Sequence, residues 1–176
     1  MPQKPHISLI TAKAPISAET HGGRAKCLQR LVRLDMPVPR TVALSFDAVR
    51  RIAEGQMPDI PLILEQFEED ALLCVRPSSE DPDWGGPGAI LNVGMNDARF
   101  LALSKTLGQE AAAALYLRFI QSYAVHVARL DPDLFDLSPE DNPSGGAKDL
   151  LDQLLAAYEE EADERFPQDP ALQLSY

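Results

Sequence analysis

The sequence predicts an α/β fold of the α+β kind, with a small mixed sheet, flanking helices and a separate helical lobe. Short apolar runs with strand character occur only in the first half of the chain, where amphipathic segments with a helical period follow them. After about residue 96 only helical patterns remain. We therefore expect two parts, a sheet-containing lobe over residues 1–95 and a helical lobe over residues 96–176.

Composition indicates which partners, which cellular location and which state of the cysteines to expect. The 176 residues carry a formal net charge of −11, with acidic residues along the whole chain, so neither nucleic acid nor an anionic membrane is an expected partner. There is no stretch of eighteen apolar residues and no leader-peptide pattern, which favours a cytoplasmic location. The two cysteines, Cys27 and Cys74, lie in apolar surroundings and are expected to be buried free thiols.

Two strands and three helices are expected before residue 71. The strands are residues 6–11 and 41–45, and the helices are residues 24–34, 46–54 and 58–70. The first helix follows two glycines, Gly22 and Gly23. Its predicted buried face is formed by Cys27, Leu31 and Leu34, at helical spacing. Ser45 is expected to cap the second helix.

The strongest functional signal lies in residues 71–97. A predicted strand, residues 71–75, is followed at once by Arg76, then by a loop with three glycines, then by a second strand, residues 90–93; the loop glycines are Gly85, Gly86 and Gly88. A guanidinium at a strand end suits phosphate oxygens, and glycines let backbone N–H groups approach an anion. The pattern indicates a phosphate-binding loop. Taken alone, however, the pattern favours an ordinary hairpin in which Arg76 pairs with nearby carboxylates.

The second half reads as helices joined by a linker. Asn96 or Asp97 is expected to cap a helix through Leu107, and Gly108 separates it from a long helix over residues 109–130. The long helix is predicted to bury the face of Ala113, Leu117, Ile120, Ala124 and Val127, and to turn Tyr116, Arg118, Gln121 and Arg129 away from it. Residues 131–146 form a linker rich in proline and glycine, and a last helix covers residues 147–165.

Several segments resemble one family. The run VRPSSEDPDWGGPGAILNVGMND is similar to the N-terminal nucleotide-binding region of pyruvate phosphate dikinase, where VRS leads through a glycine loop to LNLGLND. Its SSED portion is closer to the related phosphoenolpyruvate synthase. Three other segments are similar to the family as well, and they follow one another in the family's order. GGRAKCL, which lies before this run, resembles the family's GGKGANL; after it, LYLRFIQSYAVHV resembles YRRFIQMYGDVV and FPQDP resembles FPEDP. The likeness therefore runs through nearly the whole chain.

The resemblance implies the first part of an ATP-grasp domain, with ATP and magnesium as cofactors. It places phosphate contacts at Arg76, at the loop glycines Gly85, Gly86 and Gly88, and at Arg24, which stands where the family has lysine. The family's metal ligands belong to a later segment, so no metal ligand is assigned here. Without the resemblance, Arg24 would be interpreted as a solvated residue at a helix N-terminus.

Two functions follow from this comparison. In the first, the chain is an N-terminal fragment of a dikinase-like phosphotransferase whose ATP site is completed by a missing segment, in a longer protein or on a second polypeptide. In the second, it is a degenerate, non-catalytic module that binds a nucleotide or a partner. Glu80, which stands where the family has arginine, favours the second function because a carboxylate repels phosphate. In either case the isolated chain is expected to lack phosphoryl transfer activity.

Overall fold

The strands and helices confirm the α/β class. The computed structural model describes residues 6–78, 88–137 and 145–176, which contain four strands and eight helices. These residues divide into two units: residues 6–69 with 77–78 form the first, and residues 70–76, 88–137 and 145–176 form the second. The division into lobes at residue 95 stays a prediction.

The first unit holds one pair of strands and three helices. Its elements are β1 (Ile7–Leu9), α1 (Ala18–Arg33), β2 (Val42–Leu44), α2 (Phe46–Ala53) and α3 (Ile60–Leu64). β1 and β2 pair antiparallel, with Ile7 opposite Leu44. Ser45 caps α2 as predicted, because its side chain accepts a hydrogen bond from the N–H of Ala48. α3 is shorter than the predicted helix over residues 58–70.

Helix α1 buries a different face from the one predicted. Cys27 is exposed, and the side chain of Leu34 is 70% exposed. The helix instead buries Ala25 and Gln29, the latter at 0% exposure. Gln29 is tolerated there because its Nε2 donates to the carbonyls of Thr11 (3.1 Å) and Ala14 (2.6 Å), so the buried amide nitrogen has hydrogen-bond partners. Helical spacing alone does not distinguish the two faces.

The second unit begins with a hairpin and continues in helices. Its elements are β3 (Leu73–Val75), β4 (Ile90–Val93), α4 (Asp97–Leu107), α5 (Gln109–His126), α6 (Pro132–Phe135), α7 (Ala147–Ala162) and α8 (Pro170–Ser175). β3 and β4 pair antiparallel. The described strands therefore form two separate antiparallel pairs rather than one mixed sheet. Strands of three or four residues carry too little pattern to predict which edges meet.

Phe166 lies in the hydrophobic core of the second unit. Its ring contacts four other rings at centroid distances of 5.1 to 5.8 Å, mostly edge to face; these belong to Tyr116, Phe119, Tyr123 and Tyr158. Tyr116 was predicted to point away from the core, and that prediction is wrong, since the residue is 1% exposed. α5 contacts β4, α4, α6 and α7, and eight of its 18 residues are buried.

One carboxylate joins the starts of two helices. Glu110, in the first turn of α5, accepts a hydrogen bond from the N–H of Ala147, the first residue of α7, at 2.7 Å. A Cβ at Gly146 would meet that carboxylate, so a larger residue at this position would displace the end of the Glu110 side chain. α6 falls within the predicted linker over residues 131–146, and its Phe135 is buried.

Candidate functional site

The site begins with a break inside helix α1. At Gly22 the backbone leaves the helical region, with φ 81° and ψ 164°, so the helix starts afresh just after it. This conformation is open to glycine and strained for other residues. The sequence predicted a helix that begins after Gly22 and Gly23. The structure agrees, and adds a helical turn before the break.

Ser78 is held against this break. Its Oγ donates to the carbonyl of His21 at 2.7 Å and accepts a hydrogen bond from the N–H of Ala25 at 3.3 Å. A Cβ at Gly22 would collide with the carbonyl oxygen of Ser78. Glycine is thus needed twice, for its dihedral angles and for the close approach of Ser78.

Arg24 lies in the first turn after the break and is exposed. Its Nη1 donates to the carbonyl of Pro77 at 2.6 Å. A guanidinium has five N–H donors, and among the described residues Arg24 uses one of them, in this hydrogen bond. No carboxylate in the described part of the chain forms an ion pair with it. Among the described residues, the side chain is therefore oriented by its bond to the Pro77 carbonyl.

Arg76 follows β3 directly, as the sequence predicted, and is exposed. Its Nε donates to the Sγ of Cys74 at 3.2 Å. The ordinary hairpin interpretation expected a carboxylate partner, and no carboxylate of residues 6–78, 88–137 or 145–176 pairs with Arg76.

The prediction of buried thiols is wrong: Cys27 and Cys74 are free but exposed, because each lies on an outward face of its element.

Of the three loop glycines, Gly88 belongs to the described residues. Gly85 and Gly86, and also Glu80, lie outside the described residues. Gly88 lies just before β4, is exposed, and would accommodate a Cβ without contact within 4 Å. No contact with a described residue therefore requires glycine at position 88, and its role as a phosphate contact stays a prediction.

Sequence reasoning missed Ser78 as a site residue. The stretch that contains it was singled out, but a serine two residues after an arginine carries no signal of its own. Its significance comes from a partner more than fifty residues earlier in the chain, at the Gly22 break. The paired glycines at Gly22 and Gly23 were the signal that could have pointed to it.

Comparison with known proteins supports the resemblance. No family model matches the chain. It is 22% identical to pyruvate, phosphate dikinase of Entamoeba histolytica over 186 aligned residues, covering 88% of this chain and 21% of that protein. It is 25% identical to the chloroplastic pyruvate, phosphate dikinase of Flaveria pringlei over 183 aligned residues, covering 87% of this chain and 19% of that protein. The chain is similar to pyruvate, phosphate dikinases.

The chain spans about a fifth of the length of these two dikinases. Their activity is therefore not transferred to it directly, and the roles of Arg24, Arg76, Gly85, Gly86 and Gly88 stay predictions. The described residues fit one part of the implied ligand. Arg24 and Arg76 are exposed guanidinium groups that form no ion pair with a carboxylate of residues 6–78, 88–137 or 145–176, and such groups suit the phosphates of ATP.

The described residues offer less to the magnesium ion that would accompany ATP. Within residues 6–78, 88–137 and 145–176, no three His, Cys, Asp or Glu side chains gather in a group that could hold a metal. No helix in these ranges is long and apolar enough to cross a membrane. The cytoplasmic location stays a prediction.

Proposed function

We propose that this chain is the N-terminal part of a dikinase-like, ATP-grasp phosphotransferase domain and that it contributes phosphate-binding residues to an ATP site. The observation that supports it best is Arg24, an exposed guanidinium fixed by the Pro77 carbonyl beside a glycine break. Arg76, the residue before Pro77, offers a second guanidinium with no carboxylate partner in the described part of the chain. The dikinase resemblance assigns both to phosphates.

The proposal concerns binding rather than turnover. Transfer of a phosphoryl group needs metal ligands and a positioned acceptor, and the resemblance assigns both to segments beyond this one. The rest of the ATP site would come from a further segment, in a longer protein or on a second polypeptide. The chain's own residues would bind the triphosphate, orient it and neutralise part of its charge.

Titration calorimetry with magnesium-ATP tests this proposal. A charged hydrogen bond contributes roughly 1.5 to 3 kcal/mol, so Arg76→Ala should weaken binding about ten- to a hundredfold. Arg165→Ala is the matched control, because that arginine is exposed and pairs with Glu159 instead of lying at the site. Arg24→Lys, which restores the family residue, and Glu80→Arg, which removes a repulsive carboxylate, should each strengthen binding.

Thiol labelling gives an independent measurement on the same protein. Cys74 accepts a hydrogen bond from Arg76, so a triphosphate bound at Arg76 should shield the thiol from alkylation. A Cys27→Ser background leaves Cys74 as the single reactive group. Magnesium-ATP should slow its labelling, and magnesium chloride alone should not.

The alternative is a degenerate module that binds a partner without catalysis, and Glu80 is the observation that favours it. If the wild type binds magnesium-ATP and Arg76→Ala binds equally well, the nucleotide site lies elsewhere. If even the double variant Arg24→Lys, Glu80→Arg binds no nucleotide, the phosphotransferase proposal is wrong and the partner-binding module replaces it.

A further inference from the structure

Ser78 connects the two halves of the Gly22 break, and we infer that it is a positioning residue for the triphosphate, acting through Arg24. This inference rests on the proposed function. Ser78 itself need not touch the ligand. Its role is to fix the Pro77 carbonyl that orients the guanidinium of Arg24.

The first step is the hydroxyl bridge. His21 precedes the break at Gly22 and Ala25 follows it, and the Ser78 hydroxyl bonds to both, as donor to one and acceptor from the other. One side chain therefore satisfies a carbonyl and an N–H that the break removes from the helical hydrogen-bond ladder. The two bonds also fix the position of Ser78 relative to the first turn after the break.

The second step runs along the backbone from Ser78 to Arg24. The carbonyl that receives the Arg24 hydrogen bond belongs to Pro77, the residue before Ser78. The peptide bond from Pro77 to Ser78 is planar, so between this carbonyl and the Ser78 hydroxyl only the φ and χ1 angles of Ser78 can rotate, and the two hydrogen bonds of the hydroxyl restrain both. The absence of a side chain at Gly22 lets the Ser78 backbone lie close to the helix. Fixing Ser78 thus fixes the acceptor for Arg24.

The third step is the effect on binding. A free arginine side chain loses conformational entropy when it closes on a phosphate, and that loss weakens affinity. Arg24 has already lost part of this freedom, because one of its five N–H donors is bound to the Pro77 carbonyl. Without Ser78 the acceptor would move, and Arg24 would bind phosphate with less benefit.

A double-mutant cycle measures this dependence. Magnesium-ATP affinity is compared by calorimetry for wild type, Ser78→Ala, Arg24→Ala and the double variant. Ser78→Ala should weaken binding about five- to tenfold, and Arg24→Ala about tenfold or more. In the Ser78→Ala background, the further loss on Arg24→Ala should fall to about twofold or less. Ser78→Thr keeps the hydroxyl and should restore most of the affinity.

Ser45→Ala is the matched control, since Ser45 is also a serine that accepts a helix N–H, that of Ala48 at the start of α2. It should lower the thermal midpoint of unfolding, leave affinity unchanged, and leave the Arg24→Ala effect at full size. Ser78→Cys keeps the shape with a weaker donor, and it replaces Ser78→Ala in the cycle if the alanine variant does not fold.

The outcomes separate this inference from the proposed function. Coupling between Ser78 and Arg24, with rescue by threonine, supports it. If the wild type binds magnesium-ATP but Arg24→Ala has its full effect in both backgrounds, Ser78 is a structural residue only, and the proposed function stands without this inference. If the wild type does not bind magnesium-ATP, this inference is overturned, and the proposed function is overturned with it when the double variant Arg24→Lys, Glu80→Arg does not bind either.

Discussion

Two glycines show how much a single missing side chain matters. Gly22 and Gly55 both have positive φ, 81° and 83°, but a Cβ at Gly55 would meet no atom within 4 Å, whereas one at Gly22 would collide with Ser78. Gly55→Ala should lower the free energy of unfolding by roughly 1 kcal/mol through backbone strain alone. Gly22→Ala should lower it by about 2 to 4 kcal/mol, because displacement of Ser78 is added to the strain.

Urea denaturation of the two alanine variants beside the wild type measures the difference. Equal losses at the two positions would mean that the contact with Ser78 contributes nothing to stability, and the geometry described at the break would then be incorrect.

Two buried tyrosines differ in their hydroxyl groups. The hydroxyl of Tyr116 donates to Asp97 Oδ1 at 3.2 Å and accepts from Gln168 Nε2 at 3.1 Å. That of Tyr123 is buried with no hydrogen-bond partner in the described part of the chain. Tyr116→Phe should therefore cost about 1 to 2 kcal/mol of stability, and Tyr123→Phe should be neutral or stabilise by up to about 1 kcal/mol.

Chemical denaturation of the two phenylalanine variants checks this pair, because the same atom is removed from the same core in each. A loss at Tyr123 as large as the loss at Tyr116 would show that the Tyr123 hydroxyl has a partner after all.

At the scale of the element, α8 is held in place by one buried glutamine. Gln173 is 4% exposed; its Oε1 accepts from the N–H of Gly94, and its Nε2 donates to the carbonyls of Met95 and Pro167. Gln173→Ala would leave these backbone groups without partners and should cost about 2 to 4 kcal/mol. Gln66→Ala, at a surface glutamine with one long hydrogen bond, should change stability by less than about 0.5 kcal/mol.

Thermal and urea unfolding of both glutamine variants decides this prediction. Gln173→Ala should also make the segment after Phe166 sensitive to limited proteolysis, whereas Gln66→Ala should not. If both variants unfold at the wild-type midpoint, α8 is not anchored by Gln173.

The elements that sequence predicted well are those with local signals. Ser45 and Asn96 cap helices, Gly108 separates α4 from α5, and the two strands predicted within residues 71–93 are present as β3 and β4. Each depends on a few neighbouring residues, so each is readable from a short window. Arg24 and Arg76 were chosen in this way too, with help from the family resemblance, and their role as phosphate contacts stays a prediction.

The features that sequence did not predict depend on distant partners. α1 carries apolar residues on two faces, and only contact with Thr11 and Ala14 shows why Gln29 is on the buried one. α8 was not predicted, because six residues with proline and glutamine carry no clear period. The role of Ser78 likewise appears only when it meets the Gly22 break. Long-range contacts decide each case.

At the scale of the whole molecule, the buried tyrosines predict the response to alkali. Burial raises the pKa of Tyr158 to about 12 from its ordinary value of 10.0. Burial also raises the pKa of Tyr116 and of Tyr123 well above that value. The folded state thus favours the protonated phenols. Their contribution to stability is complete below about pH 10 and is lost as the pH rises from there through 12.

We therefore expect alkaline unfolding in which tyrosinate absorbance and the loss of helical circular dichroism rise together between about pH 10 and 12. The same titration in concentrated urea is the control, and there the phenols should ionise near pH 10. Complete ionisation by pH 11 with the helical signal intact would show that these side chains are open to water.

The carboxylate shared by two helices has a consequence for how the second unit comes apart. Glu110 lies in the first turn of α5 and bonds to the first N–H of α7, so a single negative charge faces the positive ends of two helix dipoles. Neither helix can fray at its start without disturbing the partner of the other. Two segments that are distant in the chain should therefore open as one cooperative unit, with their first turns exchanging amide hydrogens at a common rate.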